Sequence, residues 1–127
     1  SINQMQTEIR NKRSKGKLGE QLAAKYLQKQ GFTIIQNNYY QRSGEIDIIA
    51  TENREIVFIE VKTLNTENFL QITDTISFKK KIRLIKLAKI WLCKHNQIDS
   101  KYRIDFFGIV YRNKKIKKLV YLKNAIY

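Results

Sequence analysis

The chain holds one cysteine, Cys93, and one histidine, His95, among its 127 residues. A single thiol can form neither an internal disulfide nor a zinc cluster. A Ser-His or Cys-His catalytic pair would have to use His95, and no nucleophile-elbow motif stands anywhere to partner it. No apolar run approaches the ~20 residues that cross a bilayer, and the basic N-terminus is not followed by a signal-peptide core. These absences predict a soluble, cytoplasmic protein that makes no use of a membrane.

Acidic residues are also scarce: 11 Asp and Glu stand against 25 Lys and Arg, a formal net charge of +14. Their distribution is uneven. Residues 1–17 carry five basic and one acidic residue, residues 79–127 fifteen and two, and residues 18–78 five and eight. Basic flanks attract a polyanion, with nucleic acid, above all DNA, as the expected partner, and an acidic centre attracts a metal ion. A lysine-rich surface that serves only solubility is the competing explanation, but it seldom needs so large an excess of one sign.

With 43% hydrophobic residues, the chain has enough for one domain with a real core. Residues 1–13 lack apolar periodicity and hold Arg10, Lys12 and Arg13, which reads as a flexible basic arm that can touch nucleic acid. The domain proper then runs over 14–127. Ser14 is placed to cap a helix from about Lys15 to Gln30, in which Leu18, Leu22, Ala23, Tyr26 and Leu27 recur at helical spacing and Gly31 supplies the stop. Phe32 to Tyr40 reads as a strand, with a bulge or an end at Asn37-Asn38. The polar stretch at roughly 63–76 reads as a loop lining a substrate cleft. Ser77 is placed to cap a second helix running to about His95, and strands follow at Tyr102–Tyr111 and Ile116–Leu122. The order helix, three strands, helix, two strands predicts an α/β domain with a central mixed sheet of about five strands flanked by helices.

The chemistry centres on the two apolar, β-branched runs Gly44–Ala50 and Glu55–Lys62, joined by the polar Thr51-Glu52-Asn53-Arg54 as a β-hairpin. A turn centred on Asn53-Arg54 makes residues whose numbers sum to 107 face each other, so Asp47 falls opposite Glu60. Lys62 joins the face of Glu60, because side chains alternate along a strand. Like charges opposed on a strand pair are destabilising unless they bind something. Magnesium or another hard divalent cation is the obvious candidate. The bland reading keeps Lys62 and Glu45 as an exposed salt bridge beside a half-solvated carboxylate pair. Glu20 borders the buried stripe of the first helix and can lean toward this patch, or simply complement the positive end of its helix. On the second helix, Lys79, Arg83 and Lys86 fall at i, i+4 and i+7, a stripe able to follow a phosphate backbone or to remain a solvated face. Asp105 and Arg103 share a parity and read first as a structural ion pair.

The order Glu20, Asp47, Glu60-Val61-Lys62 on helix, strand, strand resembles the PD-(D/E)xK nuclease superfamily with its restriction-endonuclease-like fold. The strings Gly16-Lys17-Leu18-Gly19-Glu20, Gly44-Glu45-Ile46-Asp47-Ile48-Ile49-Ala50 and Val57-Phe58-Ile59-Glu60-Val61-Lys62-Thr63 resemble, more narrowly, the YraN-like family, a relative of archaeal Holliday-junction resolvases. The resemblance covers nearly the whole chain. It implies a Mg²⁺- or Mn²⁺-dependent DNA endonuclease, with branched DNA a natural substrate class and a homodimer as the form that cuts it. Glu20, Asp47, Glu60 and the Val61 carbonyl would hold the metal, and Asp47, Glu60 and Lys62 would be the catalytic residues. The alternative on the same fold is a catalytically silent DNA- or RNA-binding module. Members often carry arginine where Tyr40 and Leu64 stand here, so phosphate contacts from those positions are missing or moved.

Overall fold

A computed structural model describes residues 12–65, 74 and 76–126, with side chains from residue 16 onward. Its elements are α1 (Lys12–Lys29), β1 (Thr33–Gln41), β2 (Gly44–Glu52), β3 (Glu55–Leu64), α2 (Phe78–Lys94), β4 (Tyr102–Arg112) and β5 (Lys115–Ile126). The strands form one sheet in the order β1-β2-β3-β4-β5. Only β3 and β4 are parallel, joined through α2, and the other pairs are antiparallel. This is the expected α/β arrangement of a restriction-endonuclease-like domain. Among the described residues no helix is long and apolar enough to cross a membrane.

Helix α1 begins at Lys12, so Lys12 and Arg13 are helical rather than part of an arm, and Ser14 lies inside the helix. Arg10 and most of the 63–76 stretch lie outside the described residues; Thr63 and Leu64 continue β3. The helix ends as its sequence predicts. Gly31 takes φ +98°, the Phe32 N–H reaches the Leu27 carbonyl at 3.0 Å and the Gly31 N–H reaches Gln28 at 3.2 Å, a Schellman closure. At the start of α2, the Ser77 hydroxyl accepts the Lys80 N–H at 3.2 Å.

One core layer lies on each side of the sheet. Leu22, Ala23 and Leu27 of α1 meet Ile48, Ala50, Val57, Ile59, Phe107 and Ile109. Leu84, Leu87, Ala88, Trp91 and Leu92 of α2 meet Ile46, Ile49, Phe58 and Phe106. Two of the three tight hairpin turns among the described residues, Asn53-Arg54 and Asn113-Lys114, have positive φ at both central residues, as a type I′ turn requires. The first of them sets the β2–β3 register. Ile48 pairs with Ile59 and Glu52 with Glu55, so facing residues sum to 107.

Candidate functional site

The site forms where β2 leaves this regular sheet. In an even strand, residues two apart share a face, yet Ile46 packs in the α2 layer and Ile48 in the α1 layer. The strand therefore changes parity at Asp47. On its other flank, β1 pairs Asn37 with Ile48 and Tyr39 with Ile46, which leaves Asn38 facing Asp47 with a left-handed φ of +55°. The β2–β3 ladder stops at Ile48 and Ile59, one step short of Asp47 and Glu60. There the Asp47 carboxylate takes over as acceptor, with Oδ2 2.7 Å from the Val61 N–H.

Asp47 is only 6% exposed. Burial and the nearby Glu60 push its carboxyl up to about 8 against the pull of the Val61 N–H, and Glu20 and Glu45 push the same way. Such a raised carboxyl marks a place where charge has been gathered without compensation.

Glu20 arrives from α1. Gly19 lets that helix approach closely, since a Cβ there would stand 3.1 Å from the Ile109 Cδ1 atom. Glu45 arrives from the start of β2. One carboxylate oxygen from each of Glu20, Glu45 and Asp47 lies within 4.8 Å of the others. Glu20 is raised by its own burial and by Glu45 and Glu60, while a hydrogen bond from the Asn38 side chain works in the opposite direction. Tyr40 hydrogen-bonds Glu45, which raises the tyrosine hydroxyl. Among the described residues, none of the salt bridges reaches Glu20, Glu45 or Asp47.

The donor set fits a hard divalent cation: three carboxylates and no thiolate or imidazole. Oxygens on one octahedral Mg²⁺ are at most about 4.2 Å apart, twice the ~2.1 Å bond. Adjacent donors are about 3.0 Å apart at that bond length, so the three oxygens, which lie within 4.8 Å of one another, would have to draw inward to share an ion.

Glu60 lies outside this trio. It shares the parity of Ile56 and Phe58, which face α2, and its Oε1 meets the Lys80 ammonium at 2.9 Å. It remains near enough to Asp47 to raise it. Lys62 is half-buried on the same parity, and Val61 touches the site through its N–H. Lys79, Arg83 and Lys86 are exposed on α2. The Arg83 stem crosses Gly44, where a Cβ would come within 2.9 Å of Cδ, so this arginine stands beside the strand that carries Glu45. The side chains of Lys12 and Arg13 lie outside the described set.

Sequence reasoning did not single out Glu45, Asn38 or Lys80 as parts of the site. Glu45 was visible only as a partner for Lys62, a reading that assumed an unbroken ladder. For Asn38 the signal was there, since an asparagine pair inside a strand is suited to left-handed backbone.

A second acidic cluster occupies the turn end of the same hairpin. Arg103, 5% exposed, donates from Nε to both Asp105 oxygens at 3.0 and 3.1 Å, from Nη1 to Glu55 at 2.7 Å and from Nη2 to Glu52 at 2.8 Å. Asp105 also accepts the Tyr121 hydroxyl and, at 2.7 Å, the Asn124 N–H. The expected Arg103–Asp105 pair is thus the centre of a larger network.

Comparison with known proteins adds a family. The model of the uncharacterised protein family UPF0102 matches residues 19–109. A UPF0102 protein of Caldanaerobacter subterraneus is 33% identical over 117 residues, covering 91% of this chain and 96% of its own. One of Chloroflexus aurantiacus is 41% identical over 106 residues, covering 83% and 86%. One of Legionella pneumophila is 38% identical over 111 residues, covering 87% and 92%.

Proposed function

The chain belongs to the uncharacterised protein family UPF0102, the YraN-like group, and from its carboxylate cluster we propose that it is a divalent-metal-dependent DNA endonuclease. One observation carries this reading: Glu20, Glu45 and Asp47 converge within 4.8 Å at a break in the sheet, and among the described residues no salt bridge reaches them. The basic helix α2 beside them fits a phosphate backbone.

Bound there, Mg²⁺ or Mn²⁺ would polarise a phosphate oxygen and lower the pKa of an attacking water. The chain's own part is to position. Glu20, Glu45 and Asp47 would hold the ion, with Glu60 and the Val61 backbone next to them. The Val61 N–H fixes one Asp47 oxygen, and the other would be available to the ion. Lys62 supplies a point charge suited to phosphate and orients the water. Arg83, Lys79 and Lys86, with Arg10, Lys12 and Arg13 toward the N-terminus, give salt-dependent, sequence-independent grip on the backbone. Branched DNA is the substrate class that the resolvase resemblance suggests. Cutting both strands of a junction takes two sites, so on that substrate the working form is a homodimer.

A catalytically silent DNA- or RNA-binding module is the second reading, and one observation favours it: Glu60 is already neutralised by Lys80. Linear, flapped and four-way DNA incubated with Mg²⁺, Mn²⁺ or EDTA separates the two. Metal-dependent cleavage that disappears in Asp47→Ala while binding persists supports the enzyme. Binding without metal-dependent cleavage of any substrate supports the module.

A further inference from the structure

Glu60 and Lys80 form the one ion pair among the described residues that joins the acidic site to the basic helix. The Lys80 backbone is pinned in the first turn of α2, where its N–H meets the Ser77 hydroxyl. Its side chain is free to swing on a four-carbon stem and is 29% exposed, whereas Glu60 is 9% exposed. Lys79 and Arg83, exposed on the same helix, are placed to meet phosphate at this turn.

We infer that Lys80 is a positioning residue: in the free protein it holds the Glu60 carboxylate away from the Glu20, Glu45 and Asp47 trio, and phosphate binding on α2 draws it off. Resting on the metal-site reading above, this makes nucleic acid and divalent cation bind with positive linkage. The direction follows from charge. An ammonium that turns to phosphate leaves Glu60 buried beside Asp47 with no cation of its own, and a divalent ion on the trio then becomes its nearest counter-charge. Linkage is reciprocal, so DNA tightens the cation by the same factor as the cation tightens DNA.

The test is calorimetric titration of Ca²⁺, an oxygen-seeking probe, into the full chain with and without a saturating synthetic four-way DNA. Wild type should bind Ca²⁺ roughly five- to tenfold more tightly with DNA, a typical coupling. Lys80→Met should bind Ca²⁺ at the tightened level without DNA and gain little when DNA is added. Lys81→Met removes the same charge from the same turn without touching Glu60, and should keep the wild-type linkage. Lys80→Arg, which can still pair with Glu60, should keep it too. Equal loss of linkage in the Lys80→Met and Lys81→Met proteins would reduce the effect to the general field of the helix and overturn the assignment. Undiminished linkage in a folded Lys80→Met protein would overturn it as well, leaving the metal site standing. Absence of Ca²⁺ binding to wild type under either condition would remove both the latch and the site on which it rests.

Discussion

The two ends of the β2–β3 hairpin each gather acids, and they handle them in opposite ways. At the turn end, one buried guanidinium serves Glu52, Glu55 and Asp105, and both Asp105 oxygens are bonded by protein donors. At the open end, Asp47 has one backbone N–H, Glu20 and Glu45 have neutral side-chain donors, and among the described residues the one ammonium in a salt bridge there, that of Lys80, is paired with Glu60. The first cluster is completed from within the chain. The second has no such cation among the described residues, and the proposed divalent ion would supply it. Carboxylates held together without an internal cation cost stability, and that cost is what motivates the proposed metal site.

Opposite responses to charge removal are the strongest way to break this contrast. Replacing Arg103 by Met strands three carboxylates, one fully buried, and should destabilise the fold by roughly 3–5 kcal/mol. Replacing Asp47 by Asn should raise the metal-free melting temperature. Thermal unfolding in EDTA reads both, and two shifts of the same sign would erase the distinction.

Next in size is the effect on activity. On DNA that wild type cleaves, Asp47→Asn should lower the metal-dependent rate by roughly 10²–10³-fold or more, as loss of a charge-stabilising group does. The alanine variant of Tyr121, from the turn-end network, should cleave at the wild-type rate once it is shown to be folded. Single-turnover cleavage measures this pair.

A pH series sharpens the comparison further. Asp47 titrates at about 8 in the fold against an ordinary 3.8. Between these values the native state holds a proton that the unfolded chain has released, so metal-free stability falls as pH rises from about 4 to about 8, by a few kcal/mol. Saturating Mn²⁺ should flatten this decline, and so should Asp47→Asn in EDTA. Denaturant midpoints across the range test it.

The smallest expected effect concerns the neutral donors. Asn38→Ala removes the side-chain hydrogen bond to Glu20 and should weaken Mn²⁺ binding by about tenfold, the lower end for a residue that orients a metal ligand. Titration of Mn²⁺ by electron paramagnetic resonance checks it.

Much of this molecule was legible in the chain, because local rules decide it. The turn chemistry of Asn53-Arg54 fixed a register from which the facing of Asp47 and Glu60 could be counted. Gly31 and Ser77 marked helix ends, and shared parity foretold the Arg103–Asp105 pair. What escaped depends on departures from regularity. The parity change at Asp47 faces an asparagine in left-handed backbone on the neighbouring strand, and the β2–β3 ladder ends just where the count was to be applied. That break gathers Glu45 into the trio. The capture of Glu60 by Lys80 depends on how α2 is rotated over the sheet, which periodicity does not specify for residues at its rim. Ile82 of the same helix, apolar in sequence, is 52% exposed for the same reason.

The most direct measurement is anomalous diffraction from crystals soaked in Mn²⁺. A peak bounded by Glu20, Glu45 and Asp47, with none beside Asp105, is the predicted result. An empty trio at saturating Mn²⁺, in crystals where these side chains face open solvent channels, would contradict the account.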